Sequence, residues 1–136
     1  MLRIEATGSR PADDVWDLYT SPAAWPTWAP QIRSVRCDAE PIEPGARGVV
    51  HGPLLVRLPF TIESVDDRTR AWSWRVGVGP ASVVLDHGVR EDASGTCAWA
   101  VVHLPALLVL PYQPIARWAL SRLVEGGSPP AGRLDR

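Results

Sequence analysis

The alternation of apolar and polar residues along the middle of the chain constrains the fold more than any other feature. Between positions 47 and 104, short alternating runs are separated by turns rich in Gly, Pro and Asp. In one run, Leu85, His87 and Val89 alternate with Asp86 and Arg90. Turns that recur in this way are typical of an antiparallel meander with one apolar face. Another element must cover that face.

Two segments have helical period. Residues 10–21, RPADDVWDLYTS, carry Pro11 and two aspartates where a helix would begin, which predicts a helix of about two to three turns. From Pro111 onward the chain returns to helical spacing and stops at Gly126–Gly127. With a short strand at 2–6, this order predicts an α+β fold. A curved antiparallel sheet of about six to seven strands would wrap around a long C-terminal helix, with a short helical segment after the first strand.

The connector between the first helix and the sheet, SPAAWPTWAP at 21–30, places Trp25 and Trp28 among three prolines. Proline fixes φ and removes a backbone donor, so no regular helix is expected here. If the sheet curls around the C-terminal helix without touching its whole length, a cavity remains between them. The two indoles would then either close the core or form part of the cavity rim, and the sequence leaves both open.

Composition limits the class of protein. A chain of 136 residues that is 46% hydrophobic suits one domain, which we expect over 1–125, followed by a flexible tail at 126–136. A net charge of -1 lacks the basic footprint of a nucleic-acid binder. The most apolar run, 104–111, is far shorter than the roughly 20 residues of a membrane helix, and no signal-peptide core is present. We expect a cytoplasmic monomer or homodimer without nucleic-acid partner or membrane insertion. All 14 basic residues are arginine, which indicates GC-rich bacterial coding.

Catalytic and metal-binding motifs are mostly absent. The sequence has no nucleophile elbow, phosphate loop or dinucleotide fingerprint. His51, His87 and His103 fall on different predicted strands without metal-ligand spacing, so we expect no metal and no cofactor. His87 shares the apolar phase of its strand and should point inward. It is either a core histidine with a hydrogen-bond partner, or a polar anchor or general acid/base in the cavity.

The seven tryptophans supply large apolar surfaces with one N–H donor each. Trp72 and Trp74 share the apolar phase of one strand, and Trp118 fits an apolar helical face with Ile115 and Ala119. Such side chains suit flat or ring-shaped ligands, and they equally suit plain packing. The residues predicted to line a ligand cavity are Trp25, Trp28, Phe60, Trp74, Val83, Leu85, His87 and Trp118.

Particular stretches resemble the START-like, birch-pollen-allergen-like superfamily, and within it the polyketide cyclase/dehydrase and lipid-transport (SRPBCC) family. DDVWDLYTSPAAWPTWAPQIRSV is similar to that family's helix, Trp-Pro-x-Trp connector and strand. EPGARG in the first hairpin and the EDASGT turn match as well. The resemblance covers roughly residues 1–125. It implies a helix-grip fold with a deep, mostly apolar cavity between the sheet and the C-terminal helix.

Three functions remain open. The first is binding of a hydrophobic small molecule of lipid, polyketide or aromatic type, as the resemblance implies. The second is an enzyme of the cyclase/aromatase or dehydratase type with His87 as acid/base. The third is a protein-interaction module with a collapsed cavity. A core that contains a cavity of ligand size would favour the first two.

Overall fold

The computed structural model describes residues 1–125, so the predicted tail at 126–136 lies outside the described residues. One antiparallel sheet contains seven strands in the order β1-β7-β6-β5-β4-β3-β2. The strands are β1 (Leu2–Gly8), β2 (Ser34–Cys37), β3 (Arg47–His51), β4 (Arg57–Asp66), β5 (Ala71–Val76), β6 (Val83–Asp92) and β7 (Gly95–Val102). The helices are α1 (Ala12–Tyr19), α2 (Trp25–Trp28), α3 (Ala106–Val109) and α4 (Gln113–Val124). The predicted helix-grip architecture is confirmed, with the sheet curved and α4 packed against β1 and β7.

Because neighbouring strands are antiparallel, their connections fall at two ends of the sheet. The mouth end, named for the cavity that opens there, carries the connections 29–33, 52–56, 77–82 and 103–112. The opposite end, which we call the closed end, carries the connections 9–11, 38–46, 67–70 and 93–94.

Helix α4 buries a face that only partly overlaps the one the sequence predicted, since Ala119 is buried as expected. Ile115 is 42% exposed and Trp118 is 56% exposed, so the prediction that they belong to the inward apolar face, with Trp118 lining the cavity, was wrong. Both faces have the same helical spacing, but the buried one carries smaller side chains, which let the helix approach the sheet closely. At Gly8, an added Cβ would lie 2.4 Å from the Val124 carbonyl oxygen. The buried residues of α4 are Ala116, Ala119, Leu120, Leu123 and Val124.

The C-terminal end of α4 is attached to the β1–α1 connection. The backbone N–H of Arg10 donates to the Val124 carbonyl at 2.8 Å. Arg10 Nε donates to the Leu123 carbonyl, also at 2.8 Å. Carbonyls in the last turn of a helix have no partner within the helix, so Arg10 both satisfies them and fixes this end of α4.

In the sequence, Leu54, Val56, Leu58 and Phe60 alternate with Arg57 and Thr61, which predicts a strand from Leu54, but no strand begins there. Leu54 and Leu55 have φ of 58° and 63°, and β4 starts only at Arg57. The Val56 N–H donates to the Pro53 carbonyl at 3.2 Å and closes the turn. Positive φ at both central residues is the pattern of a type I′ hairpin turn, which prefers Asn and Gly. Left-handed backbone costs an ordinary residue about 1–2 kcal/mol, so two leucines are poorly suited to this turn.

Candidate functional site

A cavity of about 420 Å³ lies between the sheet and α4. Every strand except β2 contributes to its wall, as do all four helices. This volume falls within the range of about 300–1,000 Å³ that is typical of small-molecule sites. The alternative of a collapsed cavity therefore does not describe this structure.

The cavity reaches solvent at the mouth end of the sheet. Four of its lining residues, Val56, Leu58, Leu108 and Tyr112, are exposed by 44%, 44%, 66% and 41%. They belong to the 52–56 connection, the start of β4 and the segment that leads into α4. A molecule entering the cavity would pass between these segments.

The tryptophans of the connector both close the core and line the cavity. Trp25 is 2% exposed and Trp28 is 9% exposed, and both contribute to the wall. The Trp25 indole N–H donates to the Tyr19 carbonyl at 2.9 Å, and the Trp28 N–H donates to the Leu18 carbonyl at 3.2 Å. These carbonyls are in the last turn of α1, where they lack helical partners. The connector forms a 3-10 turn at Pro22–Ala24 and the single turn α2, which bring the indoles under α1.

Most of the predicted site residues meet at the cavity wall, but Phe60 and Trp118 do not. The Phe60 ring packs behind the wall, 5.0 Å from the ring of Trp74 and 5.8 Å from that of Trp25. Trp118 points to solvent, with the guanidinium of Arg122 at 6.0 Å from its ring centroid. The predicted residues that line the cavity are Trp25, Trp28, Trp74, Val83, Leu85 and His87.

The sequence prediction missed several polar lining residues, among them Tyr19, Gln31 and Tyr112. Tyr19 could have been found, because it shares the apolar face of α1 with Val15. Its hydroxyl donates to the Trp99 carbonyl at 2.8 Å. Gln31 Nε2 donates a hydrogen bond to the Tyr112 hydroxyl at 2.9 Å. This hydrogen bond joins the 29–33 and 103–112 connections of the mouth end. No local pattern indicates that pairing.

His87 is enclosed by aromatic rings at the cavity wall. Its imidazole stacks on Trp72 with ring centroids 4.0 Å apart and an interplanar angle of 13°. Tyr19 and Trp74 meet it edge-on at 5.5 Å and 5.8 Å. Burial lowers the pKa of His87 to about 3, and this effect is only partly opposed by the Trp72 backbone and the charge of Asp86. The ring is therefore neutral at pH 7.

Asp86 lies on the opposite side of β6 from His87, as the alternation along this strand requires. Its carboxylate lies 2.7 Å from Nε2 of His103, on the side of the sheet away from the cavity. Among residues 1–125, no group of three or more His, Cys, Asp or Glu side chains is placed to hold a metal ion. No helix in the same range is long and apolar enough to cross a bilayer.

Buried polar atoms without hydrogen-bond partners are concentrated at this wall. Within the described part of the chain there are four, and every one belongs to a residue that lines the cavity. An unpaired buried donor or acceptor costs about 1–3 kcal/mol, so such atoms are uncommon in folded proteins. The four atoms are Gln31 Oε1, Trp72 Nε1, Trp74 Nε1 and His87 Nδ1.

Solved structures share this fold at low sequence identity. Ara h 8.0201 is 13% identical with a TM-score of 0.70, covering 90% of this chain and 93% of its own. A protein from Nitrosospira multiformis is 17% identical with a TM-score of 0.70, and the match covers 90% of this chain and 92% of that protein's chain. DynU16, from the dynemicin biosynthetic locus, is 20% identical with a TM-score of 0.71, covering 90% of this chain and 45% of its own.

A comparison with curated proteins found no match. The family model described as polyketide cyclase/dehydrase and lipid transport matches residues 1–127, which is nearly the whole sequence. That match agrees with the curved sheet, the enclosed C-terminal helix and the apolar cavity between them. The chain belongs to the polyketide cyclase/dehydrase and lipid-transport family.

Proposed function

We propose that the chain binds a hydrophobic small molecule of lipid, polyketide or aromatic type in the cavity between the sheet and α4. The family and the fold support hydrophobic ligand binding in general. The single observation that carries the specific proposal is the group of unpartnered polar atoms on Trp72, Trp74 and His87 in an otherwise apolar wall.

The chemistry of the wall suggests what the ligand carries. Among residues 1–125, no Asp, Glu or Arg side chain lines the cavity, so a charged group would be buried without a counter-charge from this part of the chain, at high cost. The indoles of Trp72 and Trp74 can only donate hydrogen bonds, whereas Nδ1 of a neutral His87 donates or accepts according to its tautomer. A ligand can reach these covered atoms only if the packed rings move. An uncharged ring system or chain with a carbonyl or hydroxyl oxygen fits this wall.

His87 fits the role of an anchor better than that of an acid. A general acid must carry its proton at the working pH, and an efficient base has a pKa near that pH. With a pKa of about 3, His87 meets neither condition. The cyclase or dehydratase alternative would need a ligand that raises this pKa. The cytoplasmic location, the monomeric or homodimeric state and the absence of a nucleic-acid partner stay predictions.

The test compares two probes of equal shape, 2-acetylnaphthalene and 2-ethylnaphthalene, by titrating the tryptophan fluorescence. The ketone should bind about tenfold more tightly, since its oxygen accepts a bond from an indole that is otherwise unpaired. Trp74→Phe keeps a ring but removes one donor, and it should reduce that preference. Trp118→Phe changes an exposed indole outside the cavity and should leave the preference intact.

Native mass spectrometry of freshly purified protein should also show a co-purifying neutral ligand. Equal affinity for the two probes would contradict the role of the indole donors. If neither probe binds and the protein carries no ligand, the cavity does not bind small molecules. A ligand that leaves the protein chemically changed, with the change abolished by His87→Gln, would favour the enzyme alternative.

A further inference from the structure

Exposed apolar side chains surround the opening of the cavity. Leu54 and Leu55 are 92% and 97% exposed, and Val78, Leu107 and Leu108 are 70%, 79% and 66% exposed. We call these five residues the apolar rim. They come from three separate segments of the mouth end: the 52–56 connection, the 77–82 connection and α3. Leu108 itself lines the cavity, as do Pro53 and Val56 on either side of the leucine pair, so the rim adjoins the cavity wall.

The charges of the chain are divided unevenly between the two ends of the sheet. The segments 29–34, 51–58, 76–82 and 103–119 contain Arg33, Arg57 and Arg117, but none of the 15 acidic residues. All three arginines are exposed, and none forms an ion pair with another described residue. The Arg33 N–H donates to the His51 carbonyl at 2.8 Å, and Arg57 pairs with His51 in the strand register. Arg33 and Arg57 therefore flank the same strand end.

The closed end carries charges of both signs, with Arg10, Arg68 and Arg70 in its connections as well as acidic residues. Its connection 38–46 carries Asp38, Glu40 and Glu43, and Asp67 begins the 67–70 turn. Asp86, the fourth residue of β6 counted from the mouth end, is paired with His103. The mouth end thus presents cationic and apolar groups without acidic ones, whereas the closed end presents both acidic and basic groups.

We propose that the mouth end docks onto the surface of a lipid bilayer that contains anionic headgroups. The apolar rim would enter the interfacial region while Arg33 and Arg57 contact headgroup phosphates, the combination that binds peripheral proteins to membranes. A second copy of the chain is a poorer occupant, because two mouth ends face to face would bring like charges together. Docking does not depend on which ligand the cavity holds. An apolar ligand could then pass between bilayer and cavity without crossing water.

The test is co-sedimentation of the full chain with vesicles of phosphatidylcholine alone or mixed with phosphatidylglycerol. Binding should be clearly stronger to the mixed vesicles and should weaken as salt is added. Arg57→Glu should lower the partition coefficient by at least roughly fivefold, the contribution of one basic residue near an anionic surface. Arg68→Glu is the matched control, because Arg68 is exposed at the closed end, and binding should be unchanged.

The double variant Leu54→Asn with Leu55→Gly removes two rim side chains and suits the left-handed backbone, so it should stay folded but lose most vesicle binding. Equal binding to both vesicle types, or equal losses in Arg57→Glu and Arg68→Glu, would overturn the proposal. The proposal would also be overturned if the wild-type protein bound no vesicles but formed a dimer in solution, and if the Leu54→Asn, Leu55→Gly variant were a monomer. Ala116→Phe, which narrows the cavity, should abolish probe binding but preserve docking, so the two proposals can fail separately.

Discussion

The buried, neutral His87 should make the protein lose stability in mild acid. In the unfolded chain the imidazole takes up a proton below about pH 6.5, whereas in the folded protein its pKa is about 3. Between these values the unfolded state binds more protons, so the contribution is intact above pH 6.5 and is lost progressively as the pH falls toward 3. Each pH unit in that window should lower the free energy of unfolding by about 1.4 kcal/mol, or about 2–3 kcal/mol by pH 4.5.

Urea unfolding of the wild type, His87→Leu and His87→Gln across this pH range would measure the effect. Neither variant can titrate at this position, so the difference between wild type and variant isolates His87 from every other ionisable group. The free energy of unfolding of both variants should fall much less steeply from pH 6.5 to about 4.5. Parallel curves for wild type and both variants would refute the assignment of a neutral, buried imidazole.

Two further changes test the packing of the sheet and its strained turn. Gly88→Ala would place a Cβ 2.2 Å from the Trp99 ring and should lower the free energy of unfolding by about 1–3 kcal/mol. Gly52→Ala, whose Cβ would have its nearest neighbour at 3.4 Å, serves as control, and equal losses in chemical denaturation would contradict this packing. Leu54→Asn with Leu55→Gly should raise the melting temperature, because both residues accept positive φ better than leucine. A lower melting temperature would show that the turn is not left-handed.

The sequence predicted the sheet because its signal is local. Alternation from Val83 to Val89 sets the direction of each side chain, and His87 and Asp86 lie on opposite sides of β6 as that phase requires. The same kind of signal did not identify the buried face of α4, because two faces of that helix carry apolar residues at equivalent helical spacing. The presence of Trp118 favoured one face, but close packing at Gly8 selected the face with smaller side chains.

The residues of the site were predicted where a local signal, the phase of a strand, determines which way a side chain points. Strand phase was sufficient to place Leu85 and Trp74 at the cavity wall. The pairing of Gln31 with Tyr112 depends on how the segments of the mouth end come together, and no short-range pattern encodes it. The turn at Leu54 was misread because Leu54 continues the alternation of Val56 and Leu58, while its backbone has a positive φ.

The two ends of α4 are held with different strength, and this difference governs how the cavity can change volume. At Val124 the helix is joined to β1 by close backbone contact and by the hydrogen bonds of Arg10. The segment before Gln113 instead consists of the short helix α3 with its exposed leucines. We therefore expect displacements of α4 to pivot about Gly8 and to grow toward the mouth end. Admission of a larger molecule would tilt one helix outward and leave the sheet and the far wall in place.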